Sequence, residues 1–130
     1  PHYETWIYGE LMPNDFAART QAYIDGFQPD NPFVNLYADY WHADYGQIVF
    51  VNQDNKASKN LLIVADSFSN PIERLFLSSY SRVYVYDPRY ATISLADFLK
   101  KYDDIDDILF CETYQTMRYG KAITSGGAAL

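Results

Sequence analysis

Hydrophobic residues in this chain gather into short runs, and each run ends on a polar or turn-forming residue. Thr5 to Leu11 (TWIYGEL) carries β-branched and aromatic residues and stops short of Pro13, which predicts a short strand. From Asp15 onward, Phe16, Thr20, Tyr23, Ile24 and Phe27 fall on one face of a helix, with Asn14 or Asp15 as N-cap and Gly26 as the stop. Residues 28–46 mix Pro, Asn, Asp and aromatics without a sustained period. They predict a long loop with a short strand around Phe33 to Tyr37.

The pattern sharpens beyond Gly46. Gln47 to Asn52 (QIVFVN) is a continuous apolar run and predicts a buried strand, with Leu61 to Ala65 as its neighbour. Asn70-Pro71-Ile72-Glu73 then reads as a helix start, with Asn70 capping, Pro71 at the first helical position and Glu73 returning a bond to the cap. Phe68, Ile72, Leu75, Phe76 and Ser79 would form its inward face. Arg82 to Tyr86 predicts the next strand. Ser94 to Asp97 opens a second helix with Leu95, Phe98, Leu99 and Tyr102 facing one way, and Asp107 to Cys111 predicts a third strand. This β-α-β-α-β alternation leads us to expect a three-layer, flavodoxin-like α/β fold with a mostly parallel sheet and right-handed crossovers. We expect one domain over residues 1–120, with its core at 47–112 and a mobile tail at 121–130.

Composition narrows the functional classes. The formal charge is −7, and the ten Lys and Arg are scattered, so a phosphate-backbone partner is not expected. No apolar stretch approaches the roughly 20 residues that cross a bilayer, so no membrane span is expected. Cys111 is the only cysteine, which excludes an intrachain disulfide and a cysteine metal cage. With no Gly-rich phosphate loop, no HExxH and no cluster at metal-ligand spacing, neither a cofactor nor a metal is expected. The chain opens at Pro1 and closes on SGGAAL, from which we expect a processed product or part of a longer protein.

In open parallel sheets, ligands bind outside the carboxyl ends of the strands. Asp66-Ser67, Asp87-Pro88-Arg89 and Cys111-Glu112-Thr113 would meet on that edge, although the sequence separates them. Ser67, just past a strand and just before a capped helix, is placed as an acyl-transfer nucleophile would be. The alternative is that Asp66 and Ser67 satisfy backbone donors in an ordinary turn.

The run LLIVADSFSNP, followed by YSRVYVYDPRY and IDDILF, resembles the C-terminal half of the DHHW family of SGNH-hydrolase-like proteins, similar to the alginate O-acetyltransferases. The likeness extends over roughly Lys59 to Phe110. In those relatives a strand ends in Gly-Asp-Ser or Lys-Asp-Ser and the serine is the nucleophile; the matching tripeptide here is Ala65-Asp66-Ser67. The resemblance implies an SGNH-like sheet, transfer of an acetyl group onto or off a carbohydrate hydroxyl, and a location in or beyond the cell envelope. The namesake Asp-His-His-Trp motif is absent from this chain, which has only His2 and His42.

A serine nucleophile needs a base and an acid to orient it. Asp39-x-x-His42 has the acid–histidine spacing of SGNH enzymes, so His42 and Asp39 are the candidates in this chain; the alternative is a base on an upstream segment. Asp66 and Arg89 are the candidate substrate-binding residues, Arg89 through forked hydrogen bonds or, alternatively, as an ion-pair partner of Asp87 or Glu112. Trp6, Trp41 and the tyrosine-rich loop could stack on sugar rings or serve as core. Two other classes stay open: a carbohydrate-binding or interaction module without catalysis, and a receiver-like phosphoacceptor domain. Ala65 stands where a receiver needs a second acid.

Overall fold

The computed structural model describes residues 2–13, 15–31, 44–54 and 57–119. The chain opens on a hairpin of β1 (Tyr3–Ile7) and β2 (Glu10–Met12). It folds at Tyr8 and Gly9, whose φ values of 49° and 85° are the paired positive angles a two-residue hairpin turn requires. The single strand expected over Thr5 to Leu11 is therefore two, because a TWIYGEL run hides a turn whose only overt signal is Gly9. Helix α1 (Asp15–Gly26) has the expected bounds, but Tyr23, Ile24 and the following Phe27 are exposed. The strand expected at Phe33 to Tyr37 lies outside the described residues, as does the tail.

The remaining strands are β3 (Gln47–Asn52), β4 (Asn60–Ala65), β5 (Arg82–Tyr86) and β6 (Asp107–Cys111). They join the hairpin in one six-stranded sheet of order β2-β1-β3-β5-β4-β6. The pairs β1–β2, β1–β3 and β3–β5 are antiparallel, whereas β4–β5 and β4–β6 are parallel. The expectation of a mostly parallel sheet is thus wrong: the sheet is mixed and mostly antiparallel. Parallel neighbours need a long crossover, and the connections from β4 to β5 and from β5 to β6 supply one through helices, whereas α1 lies between β2 and β3, which are not neighbours. The strands β3 and β4 run in opposite directions and are not the neighbours expected, since β5 lies between them.

The three parallel strands nevertheless have the 2-1-3 order that begins a doubly wound sheet. Their connections cover opposite faces. On one face, Ile48, Phe50, Leu61, Ile63, Val83 and Val85 pack with Leu77 from the first crossover. On the other, Val49, Leu62, Val64, Tyr84 and Tyr86 pack with Phe98 from α3 (Leu95–Lys101), numbered here after the short α2 (Asn70–Glu73). The strands thus read as unbroken apolar runs because both faces are covered. Ser94 caps α3 as expected, its hydroxyl accepting from Asp97 N–H and donating to the Asp97 carboxylate.

The first crossover departs from its sequence reading. Ser67–Ser69 and Arg74–Ser78 are 3₁₀ turns flanking α2. Phe68 and Leu75 are 76% and 68% exposed, whereas Ser69, Asn70, Glu73 and Leu77 point inward. The segment winds mostly at three residues per turn, so a 3.6-residue period does not identify its inward positions. Among the described residues, no helix is long and apolar enough to cross a membrane.

Candidate active site

Doubly wound sheets present a crevice where the strand order reverses, outside the carboxyl ends of the strands. In this chain that place is between β4 and β6, and Ala65 pairs with Cys111 as the last step of the ladder. Asp66 and Ser67 leave the end of β4 there, and Glu112 and Thr113 leave the end of β6.

Asp66 is 3% exposed and its carboxylate is fully engaged. Oδ1 accepts from Phe68 N–H at 3.1 Å, and Oδ2 accepts from Thr113 N–H at 2.7 Å and from the Thr116 hydroxyl at 2.8 Å. Burial pushes its pKa up, but the bonds from Thr113, Thr116 and Phe68 outweigh burial and hold it below the ordinary carboxylate value. Asp66 therefore staples the end of β4 to the turn that leads into α4 (Tyr114–Tyr119). It is also the cap of the 3₁₀ turn, whereas Asn70, expected as the cap of the following helix, is instead the first residue of α2, whose N-cap Ser69 makes no side-chain capping bond.

Ser67 is half-buried and opens that turn. The neighbouring N–H groups are committed within the chain: Phe68 to Asp66 Oδ1, Ser69 to the Asp66 carbonyl, and Asn70 to the Ser67 carbonyl. A tight 3₁₀ start thus closes these donors on the chain itself. Below the turn, the Ser69 hydroxyl donates to Glu73 Oε1 at 2.6 Å, and Glu73 is fully buried.

Arg89 follows β5, and its guanidinium forks onto Asp87 with Nη2–Oδ2 at 2.6 Å and Nε–Oδ1 at 3.0 Å. Nη2 also reaches Asp44 Oδ2 at 3.2 Å, and Asp44 Oδ1 accepts from Asn70 Nδ2 at 3.4 Å. Its hydrogen bonds to Asp87 raise its pKa further, so the guanidinium is a permanent cation. The Arg89 side chain is 31% exposed and lies over the Tyr90 ring at 5.1 Å. Gly46 makes this junction possible, since a Cβ there would stand 2.3 Å from the Tyr90 carbonyl. Its backbone accepts from Asp87 N–H and donates to the Tyr8 hydroxyl, which locks the segment after Asp44 onto the end of β5.

Of the candidates read from sequence, Ser67, Asp66 and Arg89 thus share the carboxyl edge. His42 and Asp39 lie outside the described residues. Asp44, two positions after His42, is a described residue of that edge. From the sequence, Glu112 reads only as a strand-end residue and an alternative ion-pair partner of Arg89. Both its carboxyl oxygens are closed off from solvent without a hydrogen-bond partner among the described residues. Burial, then the charges of Asp66 and Asp87, push its pKa up against the opposing pull of Arg89. Its position one step past β6 was the signal; its lack of a partner was not legible.

No family model matches the chain, and no curated protein matches it either. Among solved structures it is similar to a DHHW family protein from Eubacterium siraeum, with a TM-score of 0.63 and 21% identity over 95% of this chain and 39% of that one. The chain shares its fold with a DHHW family protein. It is also similar to Bacillus cereus PatB1, with a TM-score of 0.60 and 19% identity over 88% of this chain and 36% of that one. A PatB1 structure with a sulfonyl adduct matches with a TM-score of 0.54 and 24% identity, over 62% of this chain and 28% of that one. The chain spans under two-fifths of the length of each of these proteins, and at these identities the likeness is one of fold.

Proposed function

We propose that this chain carries the nucleophile of an SGNH-like serine O-acyltransferase or esterase acting on acetyl esters of carbohydrate. The observation that carries this reading is the position of Ser67, half-buried at the end of β4 beside the β4–β6 crevice, with Asp66 locked next to it. In this scheme the Ser67 hydroxyl gives its proton to His42 as its Oγ bonds the acyl carbon. The bond to the departing alcohol breaks, and the alcohol takes that proton. A sugar hydroxyl or water then reverses the sequence and frees the serine.

Asp39 orients His42 in this reading, and Asp44 holds the nearby chain against Arg89. Asp66, whose carboxylate is engaged internally, positions Ser67, and Arg89 faces the substrate with the donors that Asp87 and Asp44 leave over. The sulfonyl adduct of PatB1 supports the reading, because sulfonyl groups attach to activated nucleophiles. The DHHW resemblance extends it to an extracytoplasmic, carbohydrate-directed role.

An activated acetyl ester tests the proposal. Wild type is expected to turn it over, and Ser67→Ala to lose at least a hundredfold in rate, the scale of removing a covalent nucleophile. Equal rates in the two proteins would rule the scheme out. His42→Ala separates a base on this chain from one supplied by a longer polypeptide.

A further inference from the structure

The face of the sheet that bears α3 has an open groove of about 530 Å³ lying away from Ser67. Its volume is within the usual range for small-ligand sites, roughly 300–1,000 Å³. Its floor is two cross-strand rows fixed by the strand register, Trp6–Val49–Tyr84 and Glu4–Val51–Arg82. One row sets an aromatic ring on each side of an apolar centre. The next sets a carboxylate on one side and a guanidinium on the other.

The end of α3 makes the wall. Tyr102 packs against Tyr84 at 4.8 Å between ring centroids and is held by a 2.5 Å bond between its hydroxyl and Gln47 Nε2. Lys101 lies over the Tyr102 ring at 5.1 Å. The Trp6 indole N–H donates to Glu4 at 3.2 Å, which fixes the ring plane. Arg82 is paired with Asp104 at 2.7 Å. With that pair cancelled, Lys101 faces Glu4 and Asp103, so the groove has both signs of charge and no concentration of cations.

We propose that this groove is a second saccharide-binding site, taking an uncharged stretch of a polysaccharide chain. A sugar ring has an apolar C–H face suited to the Trp6–Val49–Tyr84 row and a rim of hydroxyls that both donate and accept, suited to Glu4, Asp103, Lys101 and Arg82. A polyanion would find no cationic cluster. The groove floor begins at Tyr84, two residues before the end of β5, roughly 7 Å along the strand from the carboxyl edge, so one polymer can occupy both. The inference rests on the proposed function only for its class of ligand, and it deepens that reading by naming where the polymer lies beyond the reacting hydroxyl.

The test is titration of the full chain with β-1,4-linked N-acetylglucosamine tetramer and, separately, with a mannuronate tetramer, followed by nuclear magnetic resonance. The neutral tetramer is expected to shift the Trp6 indole resonance and the amides of residues 101–104, and the uronate to leave them in place. Trp6→Ala and the exposed-rim variant Lys101→Glu are each expected to weaken binding about tenfold, the scale of truncating an interface anchor. Both should leave turnover of a small acetyl ester at the wild-type level, and Ser67→Ala should bind as wild type does. No shift with the neutral tetramer, an equal response to the uronate, or wild-type binding by both groove variants would overturn the inference. Binding at the groove without serine-dependent turnover would sink the acyl-transfer reading alone. Serine-dependent turnover with a silent groove would sink the groove alone.

Discussion

The carboxylate of Asp66 accepts three internal bonds, whereas the carboxyl of Glu112, one strand away, accepts none among the described residues. Their pKa shifts are opposite, and so are their effects on stability. Asp66 is held below its ordinary value of 3.8, so its contribution is present above that value and is lost as pH falls through its folded pKa. Asp66→Ala should cost about 3 kcal/mol at neutral pH, with a loss that shrinks in acid, as denaturant unfolding at several pH values would show. Glu112 is raised above 4.5, so the folded state holds its proton more tightly than the unfolded chain does, and stability is lost as pH rises through that window. Glu112→Gln should therefore raise the melting temperature, with a gain that is small at pH 4 and larger at pH 8. The charges facing Glu112 are Asp66, Asp87 and Arg89, and all three remain in that variant.

At the scale of elements, the crossover between β4 and β5 shows what a sequence reveals and what it hides. The bounds of β3, β5 and β6, and the cap and inner face of α3, were legible because each rests on a local rule: an apolar run, a Ser-x-x-Asp start, a 3.6-residue stripe. The inward face of the crossover was not, because its winding is set by how Asp66, Ser69 and Glu73 bond beneath it. Leu77→Ala is accordingly expected to cost about 3 kcal/mol, and Phe68→Ser or Leu75→Ser to stay within about 0.5 kcal/mol, in urea unfolding. Strand partners were likewise illegible, since β3 pairs with β1 and β5 across long sequence distances. Gly46 belongs to this scale too. Gly46→Ala should destabilise by about 2 kcal/mol, because the new Cβ meets the backbone of Tyr90 and Ala91, and chemical shifts at Arg89 should move with it.

Across the described residues the molecule is a mixed α/β sheet with helices on both faces, whose parallel trio builds the candidate site and whose strands β1, β3 and β5 floor the groove. The meeting of Ser67, Arg89 and the end of β6 could be anticipated from the alternation of strands and helices, since parallel strands end on one edge. The commitment of Asp66 and the lack of a partner for Glu112 among the described residues could not, because both depend on side chains meeting across strands. The central claim is that Ser67 is an activated nucleophile. Intact-mass measurement after exposure to a fluorophosphonate tests it most directly. One adduct per chain, mapped to Ser67 and absent from Ser67→Ala, is the result the account predicts. An unmodified wild type, or equal labelling of the Ser67→Ala protein, would contradict it.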